Sequence, residues 1–150
     1  PGLLSYGYFP NGSTDPQGLI LPCLSLHAKI SFFKVVEKGT GISYGHQYKT
    51  MQRTRIATVP LGHGDGYRRC LSEGGFVLLR GKRIPIAGAI CMDQFMIDVG
   101  QGEAYVGDEV VLIGKQGKEE ITLWELAKLA RSIPHEMLCS WSSRLPRMYI

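Results

Sequence analysis

The chain has no CxxC pair and no Cys/His grouping at metal-ligand spacing; Cys23, Cys70, Cys91 and Cys139 stand far apart. That spacing argues against a metal site and gives reduced, partly buried thiols in a cytoplasmic protein as the expectation. No apolar run approaches the roughly 18 residues needed to cross a bilayer, so no membrane partner is expected. Neither sign of charge dominates: 17 Lys and Arg against 13 Asp and Glu leave a net charge of +4. The basic residues are scattered, with only Arg68-Arg69 and Lys82-Arg83 adjacent in the densest places, so a nucleic-acid stripe is not expected. Phosphate-binding glycine loops that lead into a helix are missing, as are internal repeats and low-complexity stretches. The first residue is Pro1, and no basic-plus-apolar signal segment follows it, so the chain reads as part of something longer.

Glycine, by contrast, is plentiful: 19 residues in 150, or about 13%, against a usual share of roughly 7%. With 44% apolar and 20% charged residues, the chain is long enough for one domain with a core of its own. The opening Gly2 to Tyr8 reads as a buried strand, followed by a polar loop through Gly18. Leu24, Leu26, Ala28, Ile30 and Phe32 alternate with Ser25, His27, Lys29 and Ser31, the period of a half-buried strand, which Val35 and Val36 extend. Further strands are expected at Arg55 to Pro60, Phe76 to Leu79, Ile84 to Ile86, Ile90 to Val99 and Glu109 to Ile113. Arg80-Gly81-Lys82 gives a hairpin signal.

One helix interrupts the series. Thr122 with Glu125 three residues on forms a capping box, and Leu123, Leu126, Ala127, Leu129 and Ala130 build an apolar face that Pro134 ends. The expected fold is mainly β: a small antiparallel β-barrel-like domain with one covering helix.

Three glycine-rich or turn-like clusters remain: Gly41-Ile42-Ser43-Tyr44-Gly45, Pro60-Leu61-Gly62-His63-Gly64-Asp65-Gly66, and Ile90-Cys91-Met92-Asp93-Gln94. Singly, each reads as a turn between strands. In this order, with Ser25-Leu26-His27 before them and Ser142-Ser143-Arg144-Leu145-Pro146-Arg147 after them, they resemble the C-terminal β domain of the alanine racemase family. Pro1-Gly2-Leu3 to Gly7 resembles the last strand of that family's N-terminal (β/α)8 barrel. The resemblance therefore divides the chain into residues 1–22, the end of the barrel and a linker, and residues 23–150, the β domain.

The resemblance implies an isomerase that interconverts L-alanine and D-alanine, D-alanine serving peptidoglycan synthesis. Its cofactor is pyridoxal 5'-phosphate, carried by a barrel lysine absent from this chain, and its assembly is a head-to-tail homodimer. By the resemblance Tyr44 is the catalytic base that reaches the partner's cofactor, and Met92 binds the substrate carboxylate through its backbone N–H. Gly2 and Leu3 correspond to backbone donors to the cofactor phosphate of their own barrel. His63, Arg69, Asp93 and Ser143 stand at the active-site entrance. The fragment alone is expected to be inactive.

Three positions depart from the family pattern: His63 and Ser143 replace tyrosines, and Ala89 replaces an arginine. These leave a racemase of serine or another small amino acid open, beside a non-catalytic anion-binding β-barrel module and a structural dimerisation domain.

Overall fold

A computed structural model describes residues 2–9 and 19–149. Ten strands and two α-helices are found among them: β1 (Leu26–Lys29), β2 (Phe32–Val36), β3 (Gly41–Ile42), β4 (Tyr48–Lys49), β5 (Thr54–Val59), β6 (Phe76–Leu79), β7 (Lys82–Pro85), β8 (Phe95–Gly100), β9 (Glu109–Gln116), β10 (Glu119–Ile121), α1 (Leu123–Leu129) and α2 (Pro134–Cys139).

One sheet runs β1-β9-β6-β7 with β10 on β9, and a second runs β2-β5-β8; all pairings are antiparallel. The two sheets join at both edges. The chain passes from β1 into β2 through Ile30 and Ser31, whose N–H groups donate to Asp108 in the first sheet's margin and Thr58 in the second sheet. On the other side Ile86 bridges Ile97, and Ala87 N–H donates to Met96 O at 2.8 Å. A ring of strands results, and ring closure satisfies edge groups that an open sheet would leave unpaired. The barrel-like β architecture expected from the sequence is therefore present, with Ala57, Val59, Phe95, Ile97, Val110 and Leu112 fully buried inside.

The sequence pattern fails at four places, each for a physical reason. The segment Gly2–Tyr6 is a 3-10 helix and not a strand. Gly2 and Gly7 lie at φ +55° and +77°, outside the extended region, and Gly7 N–H turns back to donate to Leu4 O at 3.0 Å. The loop expected after it falls at residues 10–18, outside the described residues. The alternation from Leu24 breaks after Ile30: Phe32 is exposed and Phe33 packs on the core, because the turn between sheets shifts the facing by one residue. Ile90 to Gln94 is a turn and only Phe95–Gly100 continues as strand.

The fourth failure is a second helix. Pro134, read as a stop, is the first residue of α2 and is buried there, since its fixed φ suits a helix start. The β6–β7 hairpin turns on two residues, Arg80 at φ +52° and Gly81 at φ +71°, as a right-twisted hairpin requires. In the capping box, Thr122 Oγ1 accepts from Glu125 N–H at 3.1 Å, but the Glu125 carboxylate pairs with Arg83 at 2.6 Å. Helix α1 buries Leu123, Leu126 and Ala127 on the core, as its apolar face foretells. Three of the four cysteines are exposed, and only Cys91 is half-buried.

Burial, with smaller contributions from Glu120 and Cys23, pushes the Tyr8 phenol up to about 12. Burial raises Tyr48, helped by its hydrogen bond to Asp98, and burial alone raises Tyr67. A raised phenol favours the folded chain while it is neutral, so this stabilisation is complete below about pH 10 and is lost as pH climbs through the folded-state values. An alkaline titration followed at the phenolate absorbance is expected to show these three tyrosines ionising only with unfolding, above the exposed ones. Seven phenols titrating together near pH 10 in a folded protein would contradict it.

Candidate active site

Four loops contact one another around residues 88–94 and Asp65. Tyr44 opens a one-turn 3-10 segment, Tyr44–His46, and its side chain is 65% exposed. The residue before it, Ser43, has φ 63° and ψ −170°, a region almost reserved for glycine and costing roughly 1–3 kcal/mol elsewhere. Two contacts hold it there. Ser43 Oγ donates to Ala89 O at 2.6 Å, and Gly88 leaves room for it: a Cβ on Gly88 would lie 2.8 Å from Ser43 Cβ. The phenol is thus displayed from a braced and strained position.

Ser43→Ala is expected to destabilise the protein by about 1 kcal/mol, since it loses the hydrogen bond and keeps the strain. Ser43→Gly relieves the strain and is expected to be close to neutral. Denaturant midpoints of the two variants check this; equal losses would remove the strain from the account.

Cys91 to Gln94 closes a turn through Cys91 N–H to Gln94 O at 2.9 Å, and Met92 at its tip is 58% exposed. The Gly62–Gly66 loop docks on this turn by backbone alone. His63 N–H donates to Cys91 O at 2.9 Å and Gly64 N–H to Met92 O at 2.8 Å. A Cβ on Gly62 would fall 2.2 Å from Met92 O, so no larger residue fits that approach. Asp65, only 6% exposed, folds back and accepts the Gly62 N–H at 2.9 Å.

The C-terminal segment completes the cluster. Ser142 N–H donates to Asp65 O at 3.0 Å. Arg144 Nε lies 3.3 Å from Asp65 Oδ1, and its Nη2 donates to Asp93 Oδ1. The hydrogen bond to Asp93, with the charges of Asp65 and Asp93, raises the Arg144 guanidinium above its ordinary range, so it stays charged. Arg69 begins a neighbouring 3-10 turn, Arg69–Ser72; Ser72 Oγ donates to Arg69 O and accepts from Ile90 N–H at 2.9 Å.

Tyr44, His63, Arg69, Met92 and Asp93 therefore sit on loops stitched to residues 89–94, and Ser143 is exposed between Ser142 and Arg144. Gly2 and Leu3 are held differently. Leu3 is buried in the main core, in the same apolar cluster as Leu61 and Ile90, and its carbonyl accepts from Tyr8 N–H at 3.1 Å. Ala89 is buried, so its small side chain fits the wall beneath Ser43. Sequence reading gave no role to Ser43, Asp65 or Arg144. Asp65 three residues after Gly62 is a local turn signal that could have marked it; nothing in the sequence pairs Arg144 with residues 51 and 79 positions earlier.

The fit to pyridoxal phosphate is partial and one-sided. Every lysine of the chain is exposed, so none has the desolvated setting of a lysine that carries a carbonyl cofactor. Gly2, by contrast, has nothing within 4 Å of where a Cβ would stand, which leaves its backbone open to close approach. Backbone donors of that kind suit a phosphate. Among the described residues no group of three His, Cys, Asp or Glu is placed to hold a metal ion, and no helix is long and apolar enough to cross a membrane.

The fold defines a closed β domain that leaves Tyr44, Met92 and Asp93 exposed on loops between its strands. Residues 23–149 match the model of the alanine racemase C-terminal domain, and the chain belongs to that family. It is similar to the alanine racemase of Halothermothrix orenii, 45% identical over 99% of this chain and 40% of that protein. It is likewise similar to the alanine racemase of Carboxydothermus hydrogenoformans, 46% identical over all of this chain and 41% of that one. The chain thus spans about two fifths of the length of these relatives. Among solved structures, the alanine racemase of Bacillus anthracis with bound L-Ala-P superposes with a TM-score of 0.90 at 42% identity, over 99% of this chain and 39% of that one. The enzyme of Bartonella henselae with covalently bound pyridoxal phosphate gives 0.89 at 31% identity, over the whole of this chain and 41% of that one.

Proposed function

We propose that the full-length protein is a pyridoxal-phosphate-dependent alanine racemase that supplies D-alanine for peptidoglycan in the cytoplasm. Residues 1–22 end its N-terminal barrel and residues 23–150 form its C-terminal β domain. The observation that carries this reading is the outward phenol of Tyr44 on a braced loop, beside the Met92 turn, in a chain that itself has no buried lysine.

When bound, pyridoxal phosphate draws electrons from the amino acid and makes its Cα proton removable. This chain's part is to handle that proton on one face. A single base tends to return a proton to the side from which it came, so inversion needs a second group opposite the barrel lysine. Tyr44 holds that place, with its hydroxyl oxygen as the atom that takes or gives the proton. Phenols ordinarily ionise near pH 10, so cationic groups of the facing barrel must favour the charged form. Exposure of Tyr44 in this chain agrees with a site completed by another subunit, hence a head-to-tail homodimer.

Met92 N–H orients the substrate carboxylate, while His63, Arg69, Asp93 and Ser143 line the entrance. Gly2 and Leu3 offer backbone donors to the cofactor phosphate of their own barrel. The test is conversion of L-alanine by the full-length homodimer with the cofactor added: an equal mixture of enantiomers is expected, and no D-alanine would overturn the reading.

A second reading concerns the substrate alone. His63 and Ser143 are exposed where the family has tyrosines, which leaves the entrance wider and favours a small amino acid beyond alanine. A panel of amino acids on the same preparation decides it: turnover of serine at or above the rate of alanine supports the wider specificity, and turnover of alanine alone rejects it.

A further inference from the structure

We propose that Arg144 is a positioning residue for the substrate carboxylate, acting through Asp93 and Asp65. The inference rests on the racemase reading above for its kinetic consequence, and on geometry alone for its structural one.

One guanidinium spans two carboxylates that belong to different loops. Its Nε faces Asp65 Oδ1 at 3.3 Å and its Nη2 donates to Asp93 Oδ1. Asp65 is nearly sealed from solvent and already ties down the Gly62 N–H, so it is a fixed anchor and not a mobile surface acid. Asp93 is exposed and sits next to Met92, at the tip of the Cys91–Gln94 turn. Arg144 therefore staples the exposed turn of one loop to the buried carboxylate of the other. The staple reinforces the two backbone bonds, His63 N–H to Cys91 O and Gly64 N–H to Met92 O, that set where Met92 stands.

Charge gives the clamp a second effect. Without the guanidinium, Asp93 is an uncompensated anion beside the amide that a carboxylate substrate must reach, and like charges repel. Gly64 keeps the corridor for Arg144 open: a Cβ there would lie 2.9 Å from Arg144 Nη1. An exposed ion pair alone contributes little, but a charge shared with a buried carboxylate leaves that carboxylate uncompensated when it is removed. Lysine supplies the charge without the planar fork, whose separate nitrogens meet the two carboxylates here.

The experiment uses the full-length protein with Arg144→Gln and Arg144→Lys. Hydrogen–deuterium exchange of the peptide covering residues 61–66 is expected to quicken roughly tenfold in the Gln variant, with β5 as the unchanged internal control, and less in the Lys variant. For alanine racemisation, KM is expected to rise about tenfold while kcat changes less than about threefold, because the Tyr44 loop is anchored by the Ser43 hydrogen bond to Ala89 O, outside the contacts of Arg144 with Asp65 and Asp93. Unchanged exchange at residues 61–66 overturns the clamp, whether or not the protein racemises alanine. Altered exchange with unchanged KM, or with kcat falling as far as KM rises, overturns its role toward the carboxylate. Absence of racemisation in the unsubstituted protein overturns the racemase reading and this kinetic role with it, while the exchange result still decides the clamp.

Discussion

Tyr44→Phe in the full-length protein is expected to lower kcat/KM for racemisation by about 10²–10⁴-fold, the usual contribution of a positioned acid or base. The loss must be the same from L-alanine and from D-alanine, because the equilibrium constant between enantiomers is one. The asymmetry lies elsewhere. In deuterated water, the Cα proton of the enantiomer presented to the barrel lysine is expected to keep exchanging near the unsubstituted rate, while exchange from the opposite enantiomer collapses. Phenylalanine preserves the ring and its packing on a loop whose position depends on Ser43 and Gly88, so a folding defect is not expected to imitate this result. Equal exchange of both enantiomers would remove Tyr44 from the mechanism.

The second large effect is structural. Gly62→Ala is expected to destabilise the protein by about 3 kcal/mol, near the top of the range for overpacking. For a chain of this size that corresponds to a fall in Tm of roughly 6 to 12 °C. The backbone of Gly62 at φ −146° suits any residue, so conformational strain is not the cause. The cost arises because the added methyl would meet three backbone atoms, Met92 O, Cys91 O and Met92 C, all within 2.4 Å. Backbone cannot rotate away as a side chain can. The two loops must part, and with them the hydrogen bonds from His63 and Gly64. Thermal unfolding of the variant measures the loss; a change within 0.5 kcal/mol, the range of an ordinary surface substitution, would show that the loops are not in this contact.

Local chemistry made much of this molecule readable in advance. The β5, β6 and β9 segments announce themselves as short apolar runs, α1 as an apolar face behind Thr122, and the β6–β7 turn as Gly81 where a positive φ is needed. The motif around Tyr44 was legible through resemblance, as was the order of the loops. Errors fell where distant parts of the chain compete with local preference. Gly2 to Tyr8 has a strand's composition, yet it forms a 3-10 helix between glycines at positive φ, with Tyr6 O accepting from the distant Cys23 N–H. Ile90 to Gln94 has enough apolar character for a strand, yet it forms a turn because its carbonyls serve the Gly62–Gly66 loop. Pro134 looked like an end and serves as a beginning, since a proline stops one helix and starts the next with the same fixed φ.

By itself the sequence offered the candidates for the site: the Tyr44 phenol, a turn with Met92 and Asp93, the His63 imidazole, and glycines where backbones cross. The order and spacing of the motifs, through their resemblance to the racemase family, supplied the candidates, while size, charge and φ of single residues supplied the turns. Only the tertiary structure decided how they act together. That Asp65 is buried, that Arg144 reaches it and Asp93 with one guanidinium, and that Ser43 holds a strained backbone against Ala89 all depend on contacts across 46 to 79 positions of chain. Such contacts come from closing the ring of strands, which brings the loop ends together, and no local pattern encodes a distance that only closure creates.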